Sequence, residues 1–184
     1  MVLARGNDQY HAIGDGVEFV SRTTLANNAI RREMWQVCTS GLIFMMHDAW
    51  EDDDAGGPAD HFIHAGLTVT HIAQGVALMV SLYEALAMND ELVTFATALL
   101  GVRGRPLLVT PPGSTTRLRA NMTDTRCAID AVQAELTWPL AKWRSDLREQ
   151  TRQLAEEILT RCNWLDVPDY FIRDHIAWLF DTPR

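Results

Sequence analysis

The longest pattern of apolar positions in the chain runs from Ala59 to Met88. Apolar residues recur there every seven positions in two neighbouring rows: Phe62, Val69, Val76 and Tyr83 in one, and Ile72, Met79 and Leu86 in the other. Seven residues make about two turns of an α-helix, so both rows lie on one side of it. The pattern predicts a long helix at the centre of the packing.

A second pattern, typical of β-strands, precedes this helix. Apolar and polar residues alternate around Trp35, and a further β-compatible run follows Gly41 as far as Met46. We interpret the two runs as a β-hairpin, with Val17–Val20 as an earlier strand. A single helix over 25–50 is the alternative, although Gly41 in its middle would cost about 1 kcal/mol.

The segment Glu91–Leu100 also fits a strand, with two alternating sets of residues: Val93, Phe95, Thr97 and Leu99 on one side, and Leu92, Thr94, Ala96 and Ala98 on the other. The Thr and Val residues favour a strand, which Gly101 would return into a second strand at 107–110. The alternative is a helix that begins after Asp90 and ends at Gly101. The choice between strand and helix stays open for 25–50 and 91–100, and it decides which polar groups are neighbours.

The last third of the chain is predicted to be helical throughout. Met122–Leu136 forms one amphipathic helix, which Pro139 kinks or restarts because proline lacks an amide donor. Apolar residues with helical spacing then continue to Arg161. A short final helix follows Asp166–Asp169 and buries five apolar residues: Phe171, Ile172, Ile176, Leu179 and Phe180.

These elements predict an α+β fold. Antiparallel β-hairpins pack on the long central helix, and an antiparallel set of helices follows at the C-terminal end. We expect one domain over 1–184, with the hairpins and central helix in 15–110 and the helical portion in 121–181. An all-α bundle is the alternative if the ambiguous segments are helices.

Composition narrows the class of protein. A chain of 184 residues with 47% hydrophobic and 22% charged residues is expected to pack a core. The net charge of −8 disfavours extended binding to nucleic acid or to an anionic membrane. Three widely separated cysteines without Cys-x-x-Cys spacing indicate a reducing compartment, and no apolar run has the length of a signal peptide or membrane span. We therefore predict a cytoplasmic protein.

Four histidines and neighbouring carboxylates form the densest set of potential metal ligands: His47, His61, His64 and His71. On a helix the last three would lie near one face, and three imidazoles with a carboxylate suit zinc or iron. Their spacing matches no common metalloprotease or zinc-knuckle motif. The alternative is that they belong to the polar face of the helix, with no resident cofactor.

One basic neighbourhood stands out in this acidic chain. It surrounds Pro111–Thr116 and includes four arginines that we predict to contact a partner: Arg103, Arg105, Arg117 and Arg119. The planar guanidinium group suits phosphate or carboxylate, so a nucleotide, a nucleic-acid backbone or an acidic protein could bind there. The segment lacks the Gly-Lys-Ser/Thr ending of a phosphate loop, and the alternative is a solvated loop whose arginines pair with surplus acids.

The order of these pieces resembles a known family. The similarity lies in the hairpin over 35–44, the helix ending Leu82–Leu86, the strand 91–100 and the segment Gly101–Leu107. Together they are similar to the C-terminal accessory region of bacterial Schlafen-type AlbA DNA-binding proteins, over residues 15 to 160. The resemblance implies an accessory, partner-binding or oligomerising role and carries no catalytic residue onto this chain.

The leading functional hypothesis is a non-enzymatic interaction or regulatory module of a bacterial-type cytosol, which binds a protein or an anionic partner. A protein partner or a second copy of the chain is expected, and a membrane is not. A metal-dependent enzyme built on the four histidines is one alternative. An acidic immunity or inhibitor protein, which would mask a basic toxin, is another.

Overall fold

The computed structural model describes residues 7–24, 30–38, 40–47, 62–88, 91–112 and 126–182. The chain divides into two compact units, 1–61 and 62–184, and each is described by itself. Helices and sheets are both present, so the α+β class is confirmed and the all-α alternative is wrong. The expectation of a single domain over 1–184 stays a prediction.

The first unit contains a four-stranded antiparallel sheet in the order β1-β2-β3-β4. Its strands are β1 (Asn7–Ile13), β2 (Gly16–Thr24), β3 (Ile30–Cys38) and β4 (Ile43–His47). The predicted hairpin around Gly41 is β3–β4, and the predicted strand at 17–20 lies within β2. The helix alternative is wrong for 30–38 and 43–47, while 25–29, 39 and 48–50 lie outside the described residues.

Gly41 explains the turn between β3 and β4. Its φ of 86° lies in the left-handed region, which side chains with a Cβ disfavour. The Gly41 N–H donates to the Cys38 carbonyl at 3.0 Å, and the Cys38 N–H donates to the Leu42 carbonyl at 2.9 Å. The predicted packing of this hairpin on the central helix stays a prediction.

The second unit contains two small sheets and the helices. The pair β5 (Ile63–His64) and β7 (Leu107–Leu108) is parallel, and the pair β6 (Leu92–Leu100) and β8 (Ala131–Pro139) is antiparallel. The helices are α1 (Ala65–Ala85), α2 (Leu140–Ser145), α3 (Leu147–Arg161) and α4 (Asp169–Asp181).

The central helix is confirmed as α1, although it is shorter than the predicted range. It begins at Ala65 because the two residues before it pair with β7, and residues 59–61 lie outside the described part of the chain. It ends where Ala87 adopts a φ of 57° and the Met88 N–H returns to the Tyr83 carbonyl. It contacts β5, β6 and the three later helices, chiefly α3 and α4.

The predicted helix over 122–136 is wrong where it is described, because Ala131–Pro139 is strand β8. Val132 and Ala134 are buried, whereas Gln133 and Glu135 between them are exposed. This period of two is the pattern of a strand with one face on the core. Residues 122–125 lie outside the described residues, and Pro139 ends the strand rather than kinking a helix.

The predicted strand at 91–100 is confirmed as β6, but its partner is β8 and not 107–110. All nine residues pair, from Leu92 with Pro139 to Leu100 with Ala131. Leu107 and Leu108 are both buried and run parallel to β5. A strand that is buried on both faces shows no alternation of buried and exposed residues, and such strands are typical of parallel pairing.

The helical stripe predicted to run to Arg161 is interrupted at Asp146, which has a φ of −121° and separates α2 from α3. The buried Gln150 side chain donates to the Lys142 carbonyl at 2.9 Å and so bridges the break. The predicted final helix is confirmed as α4. Its last residue, Asp181, receives two hydrogen bonds from the Arg148 guanidinium near the start of α3.

Trp143 of α2 joins the helices to the inner face of the β6–β8 sheet. Its side chain is fully buried, and its indole N–H donates to the Val93 carbonyl at 2.9 Å. Its ring meets Phe95 edge-on with centroids 6.2 Å apart. An aromatic ring that fills the core and also satisfies its polar atom fixes both position and orientation.

We predict that Trp143→Phe lowers the free energy of unfolding by about 2 kcal/mol, because it removes a buried hydrogen bond and leaves a cavity. Urea unfolding followed by circular dichroism measures the change. Trp178→Phe is the matched control, since Trp178 is 43% exposed and its loss should cost under about 0.5 kcal/mol. Equal effects of the two replacements would contradict the proposed role of Trp143.

Candidate functional site

The outer face of the β6–β8 sheet is an exposed surface with very little charge. Every second residue of each strand points outward, and each of these residues is exposed: Leu92, Thr94, Ala96, Ala98 and Leu100 of β6, and Ala131, Gln133, Glu135, Thr137 and Pro139 of β8. Glu135 is the one ionisable side chain in this set. Leu92 and Leu100 are each 71% exposed. Solvated surfaces usually carry roughly a quarter to a third of charged residues, so this face is unusual for water.

Among the described residues, strand β6 also forms an unpaired backbone edge of the sheet. The Leu140 N–H donates to the Glu91 carbonyl, so the odd-numbered residues turn their backbone polar groups toward β8. The even-numbered residues from Leu92 to Leu100 therefore point their N–H and C=O groups to the opposite edge. Among the described residues, no strand pairs with that edge.

Strand β6 has none of the features that protect an edge. Its nine residues, LVTFATALL, include no charge, no proline and no glycine. Soluble proteins usually guard such edges with lysine, proline or a bulge, because unpaired N–H and C=O groups attract another strand. We call this edge together with the outer face the β6 surface.

The arginines predicted to bind a partner are only partly described. Arg103 is exposed and Arg105 half-buried, both in the turn that follows β6. Arg126 joins them by donating to the Gly104 carbonyl at 2.7 Å. Within the described residues no carboxylate pairs with Arg103, while Arg117 and Arg119 lie outside them. The grouping of all four arginines stays a prediction.

A buried polar joint connects β7, α1 and α4. His64 precedes α1, and its Nδ1 accepts a hydrogen bond from the Leu67 N–H at 3.2 Å, which caps the helix. An accepting Nδ1 carries no proton, so the neutral ring is protonated at Nε2. That nitrogen lies 3.1 Å from Thr110 Oγ1 and donates to it.

The second histidine of this joint is His175 of α4. Its Nδ1 donates to the Phe171 carbonyl at 2.8 Å, and its ring stacks on the Phe171 ring with centroids 4.4 Å apart. Gly66 lies directly against it, and a Cβ there would collide with the imidazole. A side chain at 66 and the present position of His175 are therefore incompatible.

Both rings are held neutral by their surroundings. Burial lowers the pKa of His64 to about 4. Hydrogen bonding to the His64 backbone raises this pKa, and the nearby His175 lowers it further. Burial also lowers the pKa of His175. The backbone carbonyls of Phe171 and Thr110 oppose this shift, because they favour the charged ring. With about 4% and 3% of their surfaces exposed, these histidines contribute to internal hydrogen bonding rather than to an open site.

Only two members of the predicted metal set, His64 and His71, have described side chains. His64 uses both ring nitrogens within the joint, and His71 is half-buried two turns along α1. His47 ends β4 in the first unit, without a described side chain, and His61 lies outside the described residues. No group of three or more potential ligands converges among the described residues. The zinc or iron site stays a prediction.

Sequence reasoning missed His175, Thr110 and a buried pair of thiols. Cys127 and Cys162 are both buried and free, and they lie near each other. Burial raises the pKa of the Cys162 thiol, so neither its thiolate nor its reactivity is favoured. The sequence did contain a signal for His175. It shares a helical face with Phe171, Ile172 and Ile176, which predicts that it is buried.

Helix α1 has the length and composition of a membrane span, yet 61% of its most apolar window is buried inside the protein. The central helix of a water-soluble fold has the same properties. Its apolar character is explained by contacts with β5, β6 and the later helices.

Comparisons of the chain with protein-family models, with curated proteins and with solved structures found no match. The resemblance to the accessory region of Schlafen-type AlbA proteins therefore stays a prediction. Functional inference for this chain rests on the geometry of its own residues.

We predict that stability falls with acid in a window set by His64. Its folded pKa is lowered from 6.5 to about 4, so the unfolded state binds the extra proton between these values. The contribution of His64 to the free energy of unfolding is therefore fully present above pH 6.5. It declines toward pH 4 by about 1.4 kcal/mol per pH unit. Urea unfolding at several pH values in this window measures the slope.

His64→Asn is the decisive variant, because asparagine also caps helices but does not titrate. It should reduce the slope and leave the part that His175 contributes, whereas His71→Asn, the same replacement on α1, should keep the wild-type slope. An unchanged slope in His64→Asn would show that His64 does not carry the pH dependence.

Elemental analysis of the purified, tag-free protein tests the metal hypothesis. We expect zinc and iron well below stoichiometric amounts, because His64 would have to give up its bonds to Leu67 and Thr110 before it could bind a metal. A stoichiometric metal that His64→Asn removes would instead support the metal-dependent enzyme.

Proposed function

We propose that this protein is a non-enzymatic interaction module and that it binds a protein partner through the β6 surface. The observation that supports this most directly is the exposed outer face, on which Glu135 is the only charge among ten outward residues. A face of this kind gains free energy when another protein covers it, at about 25 cal/mol per Å² of apolar area.

The edge of β6, which no described strand covers, supports a specific mode of binding. A partner strand that adds to this edge would satisfy five consecutive outward-facing backbone positions without moving the core. Side chains on the outer face, such as Thr94 and Ala98, would then contact the partner's own side chains. Backbone pairing contributes affinity, and the side-chain contacts contribute specificity.

The turn after β6 supplies charge at one end of this surface. Arg103 is exposed there, beside the uncharged strand, and can pair with a carboxylate of a partner. An uncharged centre bordered by charged groups is the usual arrangement of protein interfaces. The predicted resemblance to an accessory region implies a role of the same kind, in a bacterial-type cytosol.

The alternatives receive less support from the described residues. His64 and His175 are buried and already hydrogen-bonded, so substrate has no direct access to them. An acidic inhibitor would cover a basic target with carboxylates, but the most distinctive surface of this chain is nearly uncharged.

A photocrosslinking amino acid at Thr94 tests the proposed function. Thr94→p-benzoylphenylalanine places the reactive group on the outer face of β6, where a bound protein would lie within reach. Irradiation in cells of the source organism should give a defined protein adduct, which gel electrophoresis and mass spectrometry identify.

Thr160→p-benzoylphenylalanine is the control, since Thr160 is also an exposed threonine but lies on α3. The same adduct should be absent from it, and Thr94 variants that also carry Ala96→Lys should lose the adduct. Equal labelling from both positions, or none from Thr94, would overturn the proposed function.

A further inference from the structure

We propose that the partner at the β6 surface is a second copy of this chain, and that the two β6 strands pair with each other in antiparallel fashion. This inference rests on the proposed function and names its partner. The joined strands would form one continuous four-stranded sheet in the order β8-β6-β6-β8, with a two-fold axis at Ala96.

The backbone of β6 is suited to this pairing. A two-fold axis at Ala96 sets each residue i opposite residue 192−i of the second copy. Even-numbered residues then meet even-numbered residues, and these are the ones whose N–H and C=O groups point away from β8. If the axis lay half a residue away, even-numbered residues would meet odd-numbered residues, whose N–H and C=O groups point toward β8. The axis at Ala96 also pairs the full strand, from Leu92 with Leu100 of the second copy onward.

The side chains fit the same register. At the axis Ala96 lies opposite Ala96 of the second copy, so the strands approach with no bulky or charged group between them. Thr94 lies opposite Ala98, and at each end the exposed Leu92 covers the exposed Leu100 of the second copy. Each leucine pair removes from water two side chains that are 71% exposed in one chain.

Charges at the ends of the strand are complementary under the same symmetry. Glu91 precedes β6 and is exposed, and the turn with Arg103 follows β6. Antiparallel pairing brings the start of one strand to the end of the other, so Glu91 of each copy approaches the arginine-bearing turn of its partner. Two such contacts oppose the repulsion between chains that each carry a net charge of −8.

The size of the contact predicts its strength. A nine-residue strand pair with its outer side chains is smaller than the roughly 1,600 Å² of a standard protein interface. The dimer should therefore dissociate on dilution rather than persist as an obligate assembly. Sedimentation velocity over a range of concentrations should show a reversible change from the 20.7 kDa chain to twice that mass.

Charge at the two-fold axis tests the register. Ala96→Lys sets two ammonium groups against each other across the axis, and Ala96→Glu does the same with carboxylates. Each variant alone should dimerise at least about tenfold more weakly than the wild type, because like charges face each other within an interface. An equimolar mixture of the two variants should regain the dimer, since lysine then faces glutamate.

Two further variants separate this contact from effects on folding. Ala131→Lys adds the same charge to the outer face of β8, away from the paired edge, and should leave the dimer intact. Ala96→Pro removes one N–H that points outward, which β6–β8 pairing does not use, so the chain should stay folded as a monomer. Circular dichroism reports folding for both.

The possible results distinguish this inference from the proposed function. A wild-type chain that stays monomeric, while Thr94 crosslinks to a different protein, overturns self-pairing and leaves the interaction module standing. A dimer that tolerates Ala96→Lys and Ala96→Pro uses another surface and also overturns self-pairing. A Thr94 adduct of twice the chain mass, lost in Ala96→Lys and regained in the mixed variants, supports both.

Discussion

Pairing of β6 with β8 is the constraint on which the rest of the second unit depends. It joins segments about forty residues apart in the sequence and fixes the face of every side chain in both strands. Because Leu140 follows β8 directly, the pairing also sets the start of α2, whose Trp143 returns to donate to the Val93 carbonyl. The inner residues of the sheet then meet α1 and α3, and a shift of one residue would expose all of them.

The alternation of buried and exposed residues in β6 and β8 separates side chains that pack in the core from side chains that face outward. Val93, Val132 and Ala134 are buried and pack in the core, so their apolar character has a structural cause. Ala96, Ala98 and Leu100 face outward and are exposed, so packing among the described residues does not require them to be uncharged. Lysine or glutamate at those positions would protect a lone edge strand better. Their absence supports the proposal that another protein covers this face.

Local pattern was enough to predict the elements whose own sequence has one clear period. The central helix and helix α4 belong to this group, whereas the hairpin at Gly41 and strand β6 were predicted with a helix as the open alternative, because their apolar residues also fit a helical face. Strand β8 is not in this group, since Ala131–Leu136 contains alanine, glutamine, glutamate and leucine, which are all good helix formers. It becomes a strand because β6 offers it a partner, and such tertiary context overrides local propensity. The contacts of His64 with Thr110, and of Cys127 with Cys162, depend on the same long-range assembly and have no signature in sequence spacing.

The buried polar joint and the nearly uncharged β6 surface depart locally from the usual distribution of side chains. His64, Thr110 and His175 could perform chemistry in an open cleft, but here they are buried and hydrogen-bonded, and both imidazoles are held neutral. Their bonds connect the end of β7, the start of α1 and α4, so they contribute to a unique arrangement of these elements. Leucine, alanine and threonine, which usually fill or border a core, occupy the exposed β6 surface instead. Polar groups held in the interior and apolar groups presented to solvent are the two observations that support the proposed interaction module.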